Sequence, residues 1–204
     1  SARLGEDFVS RIRDAWDDHL VIKGILTKES AEASVRIGAD GIIVSNHGGR
    51  QLDSAPSSIQ VLPDIFKTVG SKLTVMLDSG IRSGPDIVKA FASGAAITFS
   101  GRSFVFGVGA LGEKGGDHVL DIMVKEVDQT LAQIGCDNIL KLEIQTVVVL
   151  PKSPHPRWTA LQGAQLSKVS YIDSCEGLSG TLRAAVANLP KNVTHLCVVC
   201  LLCT

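Results

Sequence analysis

The run IIVSNHGGRQLD, residues 42–53, decides how the rest of the chain is read. Ile42, Ile43 and Val44 have the pattern of a strand buried on both faces. They lead directly into Ser45, Asn46 and His47, then two glycines, then Arg50. An imidazole held within ~3 Å of a substrate proton serves as a base. A guanidinium fork grips a carboxylate in two places. Together, His47 and Arg50 fit proton or hydride removal next to a carboxylate. A lone histidine at a strand end is more often a hydrogen-bonded structural residue, and Arg50, just past the two glycines, favours the chemical reading.

Outward from this run, segments 20–25, 41–45, 73–77 and 95–100 read as four short strands. Helical patterns separate them. KESAEASVRIG follows Thr27 as N-cap and stops at Gly38. SGPDIVKAFASG has Ser83 as cap, Pro85 in its first turn and Gly94 as its stop. GDHVLDIMVKEVDQTLAQIG carries Val119, Ile122, Met123, Val127, Leu131 and Ile134 on one stripe and ends at Gly135. Strand and helix alternate four times, which predicts a parallel α/β unit, a barrel before an open sheet.

In such a barrel, chemistry sits where strands end at the C-terminal face. The four strand ends here supply Lys23; Ser45, His47 and Arg50; Asp78-Ser79-Gly80-Ile81-Arg82; and Gly101-Arg102. DSGIR followed by a capped helix has the makings of an anion cup, with backbone N–H groups, a helix start and arginine donors. The plain alternative is a tight turn with surface arginines. A second arginine-bearing strand end, SGR, supports the cup, because barrel phosphate sites use the last two such loops. Lys23 is either a buried cation opposite a cofactor ring or a rim lysine.

Bulk properties exclude several classes. A net charge of −1 over 204 residues gives no reason to expect nucleic acid or an anionic membrane surface as partner. The first residues are charged throughout, unlike a signal peptide. The longest apolar run, 196–203, is far below the ~20 residues that span a bilayer. Five cysteines without a secretory leader predict free thiols in a reducing, cytoplasmic setting. Residues 1–139 carry the βα rhythm. Residues 140–204 do not, and form a tail of unassigned structure. In that tail Cys197, Cys200 and Cys203, near His195, have a metal-like spacing but only Val and Leu between them, so no metal site is expected.

Lys23, SNHGGRQLD, DSGIR and GRSFVFG, in this order, resemble the FMN-dependent α-hydroxy acid dehydrogenases and oxidases, the family of glycolate oxidase, L-lactate dehydrogenase and mandelate dehydrogenase. TLAQIGCDNI and the serine of DSGIR look most like the bacterial dehydrogenases. The resemblance covers about residues 8–139. It implies FMN as cofactor and the C-terminal half, strands 5–8, of a TIM (β/α)8 barrel. It further implies Lys23 beside flavin N1 and the C2 carbonyl, Ser45 against the flavin, His47 as base and Arg50 as carboxylate clamp. Asp78, Ser79, Gly80, Ile81, Arg82, Gly101 and Arg102 would hold the ribityl chain and phosphate. The implied activity is oxidation of an (S)-2-hydroxy acid to the 2-oxo acid, with a homo-oligomer as the assembly. The family's first four strands supply a tyrosine, a second arginine and an aspartate that orients the histidine, and none is assignable here. The alternative is a half-barrel that binds FMN, or only self-associates through open strand edges, without turnover.

Overall fold

A computed structural model describes residues 5–142 and 196–200. The chain begins with α1 (Glu6–Ala15), then β1 (His19–Ile25), α2 (Lys28–Arg36), β2 (Gly41–Val44), α3 (Ser58–Val69), β3 (Thr74–Leu77), α4 (Gly84–Ala92), β4 (Ile97–Thr98), α5 (Arg102–Leu111), α6 (Gly115–Gln133) and β5 (Leu196–Cys200). All strand pairings are parallel, in the order β4-β3-β2-β1-β5. The four expected strands are present, and a helix follows each of them. The fourth is reduced to two residues, against the six expected over 95–100.

Two findings differ from the sequence reading. The tail contributes a strand: β5 lies beside β1 with His19 opposite Leu196 and Lys23 opposite Cys200. One of the two edges expected to stand open is therefore covered, and the sheet has five strands. Residues 143–195 and 201–204, with the Cys203 and His195 positions of the cysteine cluster, lie outside the described residues. Helices α3 and α5 are both unmarked by the sequence reading, and α3 supplies Leu62, Ile65 and Val69 to the core.

Residue alternation along each strand builds two apolar layers. Leu20, Ile22, Ile42, Val44, Val75 and Leu77 join α2, α3 and α4 in the main core. Val21, Ile43 and Met76 form a separate cluster that Ile97 joins. Each fully buried Leu, Ile or Val contributes about 1.5–3 kcal/mol. The expected helix stops hold, since Gly38, Gly94 and Gly135 all have the positive φ that ends a helix without strain. Thr27 caps α2 by accepting from Ser30 N–H. Ser83 is the N-cap of α4, but its hydroxyl donates to Asp86 and accepts no backbone bond. The long-helix stripe is buried at Met123, Val127 and Leu131, whereas Ile122 and Ile134 are exposed.

Helix α6 lies across the start of α4. A Cβ on Gly84 would sit 2.4 Å from Glu126 Cβ and from Val127 N. In α5, the exposed Gly109 has open space around it. Gly84→Ala should therefore destabilise by about 1–3 kcal/mol through overpacking. Gly109→Ala should stabilise by about 0.5–1 kcal/mol through unfolded-state entropy. Chemical denaturation of both variants checks the pair, and equal shifts would show that the α4–α6 contact is looser than described.

Candidate functional site

Strand parity brings the polar residues together. Val21, Ile43 and Met76 face away from the main core, so Lys23, Ser45 and Asp78, two residues further along each strand, point to the same side. Lys23 is opposite Ile43, one step below Ser45 in the pleat, so its long side chain must reach upward. It does so: Nζ lies 2.9 Å from Asp78 Oδ2 and donates to Ser45 Oγ at 3.0 Å. Ser45 is fully buried, and the Lys23 and Asp78 side chains are 23% and 18% exposed. The Asp78 carboxylate, expected on a ribityl chain, is thus turned toward Lys23.

The SNHGG segment forms a one-turn helix, His47–Gly49, with Arg50 closing it through its N–H to His47 O at 3.4 Å. His47 itself has φ +56 and Gly48 φ +68. A Cβ on Gly48 would come 3.2 Å from an Arg102 nitrogen, so the glycine admits Arg102 beside the turn. His47 N–H donates to Ser45 Oγ at 3.2 Å, and Gly48 N–H donates to Ser79 Oγ at 3.0 Å. Ser79 Oγ donates in turn to Asp78 Oδ1 at 2.8 Å. Lys23, Asp78, Ser79, the His47–Gly48 backbone and Ser45 thereby close a ring across three strand ends. His47 is partly buried, whereas Arg50 is exposed at the end of the turn.

The DSGIR expectation needs adjustment. Arg82 N–H donates to Asp86 and Gly84 N–H to Glu126, at 3.1 and 2.7 Å, so protein carboxylates already fill the start of α4. The Ile81 side chain is buried in the main core and offers a ligand only its backbone. The open helix start belongs to α5. There Gly101 is the cap, no side chain caps the first turn, no acidic residue sits in it, and Arg102 opens the helix. Gly80 is exposed with nothing around the position of its absent side chain, and Arg82 is exposed. The helix start free of a protein carboxylate is therefore that of α5, not that of α4.

Three serines went unmarked in the sequence. Ser58, in α3, accepts Asn46 N–H at 3.0 Å and fixes the loop after β2. Ser100 and Ser103 donate to the carbonyls of Ile81 and Arg82, at 2.8 and 3.2 Å, tying the fourth strand end to DSGIR. Serine is too common in loops for its type or spacing to have signalled these roles.

A profile of the FMN-dependent dehydrogenase family matches residues 1–149. The chain belongs to that family. L-lactate dehydrogenase of Vibrio cholerae serotype O1 (strain M66-2) is 46% identical over 137 residues, which cover 67% of this chain and 36% of the relative. Its counterpart from Actinobacillus pleuropneumoniae serotype 5b (strain L20) is 45% identical over 157 residues, covering 73% of this chain and 41% of the relative. The crystal structure of a soluble mutant of membrane-associated (S)-mandelate dehydrogenase from Pseudomonas putida superposes with a TM-score of 0.67 at 43% identity. That match covers 70% of this chain and 40% of the other. The chain thus spans well under half the length of these relatives. Family membership places the parallel strands in a TIM-barrel α/β fold. Among the described residues, no helix is long and apolar enough to cross a membrane, and no His, Cys, Asp or Glu cluster is arranged to hold a metal ion.

Burial is the main force holding the His47 pKa below the ordinary 6.5; the Lys23 ammonium adds to it and the Asp78 carboxylate opposes it. His47 is therefore neutral at pH 7, the state a base requires. Just below pH 6.5 the unfolded chain binds more protons at this residue than the folded one. Stability should thus rise with pH through that window and level off above it. Histidine NMR titration should place the His47 midpoint below 6.5, higher in Lys23→Met and lower in Asp78→Asn. A midpoint indifferent to both substitutions would remove the electrostatic account.

Proposed function

We propose that this chain is the FMN-binding and catalytic C-terminal part of an FMN-dependent 2-hydroxy acid dehydrogenase. One observation carries the reading: a charged lysine, a neutral histidine and an uncapped, arginine-flanked helix start converge at the ends of adjacent parallel strands. In this reading β1–β4 are strands 5–8 of an eight-stranded barrel. Residues 1–139 form the flavin-binding unit and 140–204 are appended to it. A homo-oligomer in a cytoplasmic setting completes the proposal.

The residues suit FMN on chemical grounds. A phosphate dianion complements the first turn of α5, where Gly101 and Arg102 stand without a competing carboxylate. Exposed Arg82 and the open Gly80 backbone line the same cup. Lys23, charged and fixed by Asp78 and Ser45, places a cation where negative charge on a reduced ring needs one. FMN, when bound, supplies the acceptor for the two electrons that leave the substrate.

The substrate is an (S)-2-hydroxy acid of the lactate or mandelate kind. Arg50, exposed on the His47 turn, binds its carboxylate. His47, neutral at Nε2 or Nδ1, takes up a proton as the carbinol becomes a carbonyl. Conversion of the 2-hydroxy acid to the 2-oxo acid releases two electrons and two protons, one of which His47 holds. A half-barrel that binds FMN, or only self-associates, without turnover is the second reading; the exposed Phe106 and Leu111 of α5, the helix that follows the short strand β4, are its support.

Titrating the protein with FMN while following flavin fluorescence should give saturable quenching. Arg102→Ala should weaken binding roughly tenfold or more, the loss of one charge-assisted contact to phosphate. Under anaerobic conditions L-lactate or (S)-mandelate should bleach the bound flavin. His47→Gln should abolish bleaching and leave FMN affinity within a few-fold. Bound flavin that stays oxidised with every 2-hydroxy acid tried would favour the second reading.

A further inference from the structure

We propose that Ser79 is a positioning residue that sets the place of the histidine base. The inference rests on the functional reading above. Among the described residues, only two non-glycine residues have φ in the left-handed region, His47 at +56 and Ser79 at +70, and both belong to this site. Such a conformation is strained for a residue that carries a side chain. Glycine would adopt it without that strain, so the serine side chain must return something.

What it returns is a clasp. Ser79 Oγ accepts from Gly48 N–H at 3.0 Å and donates to Asp78 Oδ1 at 2.8 Å. The donor to Asp78 fixes the hydroxyl hydrogen, which leaves a lone pair aimed at the Gly48 N–H. On the other side, Ser45 Oγ accepts from both His47 N–H and Lys23 Nζ. The backbone on either side of the His47 Cα is thus held by two serine hydroxyls, and each hydroxyl is anchored to one member of the Lys23–Asp78 ion pair. Ser45 is buried on its strand and follows from strand parity. Ser79 stands in a turn, and its hydroxyl bridges the loops after β2 and β3.

The test compares Ser79→Ala, which keeps the strained backbone and loses the hydroxyl, with Ser79→Gly, which loses both. First, amide hydrogen exchange at Gly48 is measured in the full chain without flavin or substrate. Protection should fall at least tenfold in both variants, while Ser79→Gly gains thermal stability relative to Ser79→Ala. Second, with FMN saturating, kcat for the hydroxy acid should drop in both, with KM little changed. Wild-type Gly48 protection in Ser79→Gly would overturn the proposal, because backbone shape alone would then place the turn. Wild-type kcat in Ser79→Gly, with lost protection, would overturn it equally. The exchange measurement needs neither flavin nor turnover, so a protein that oxidises no hydroxy acid fails the functional reading and leaves the clasp to be judged separately.

Discussion

The Lys23–Asp78 pair is the contact on which the site depends. At 2.9 Å and mostly out of solvent, it is a pair for which desolvation competes closely with attraction. Such a pair holds its geometry when its remaining donors and acceptors are also satisfied. Here Ser45 takes a second proton of the ammonium and Ser79 donates to the second carboxylate oxygen. The pair joins β1 to β3 across β2, and the β2 loop, with His47, is suspended between the two serines. Remove one charge and the other is left desolvated beside an imidazole that burial already keeps neutral.

The second constraint is alternation. Strands covered on one face by helices α2, α3 and α4 put every other residue into that core. The residues between them face the opposite side, apolar at Val21, Ile43 and Met76 and polar one step later. The site is polar only at the last rung of the sheet. Apolar residues below it exclude water and keep the pleat rigid, and that rigidity turns residue number into position.

Much of this was legible in the sequence, for stated reasons. Short β-branched runs identified the strands, and Gly38, Gly94 and Gly135 marked helix ends because few other residues accept positive φ. The convergence of Lys23, Ser45, His47, Asp78 and Arg102 followed from their places at strand ends. Helix α3 is hard to read from sequence because Pro63 lies inside it, where proline is disfavoured. The diversion of Asp78 to Lys23 and the occupation of the α4 start by Glu126 were invisible, since both depend on partners far along the chain. Strand β5 was hidden for the same reason: an apolar run of five residues carries no record of which edge it joins.

Strand β5 also divides the sheet in time. Strands β1 to β4 pair with the next strand along the chain across a single intervening helix, contacts of modest sequence separation. The β1–β5 ladder joins residues 19–23 to residues 196–200, so closing it constrains nearly the whole chain at once. Loop-closure entropy rises only about 0.6 kcal/mol for each doubling of length, yet non-local pairing slows folding steeply. The consecutive βα units are therefore positioned to fold as one early cooperative block, with Lys23 and Asp78 already within reach of each other. Until β5 arrives the β1–β5 ladder is unmade, and a strand edge left unpaired in that interval is open to pairing with another chain.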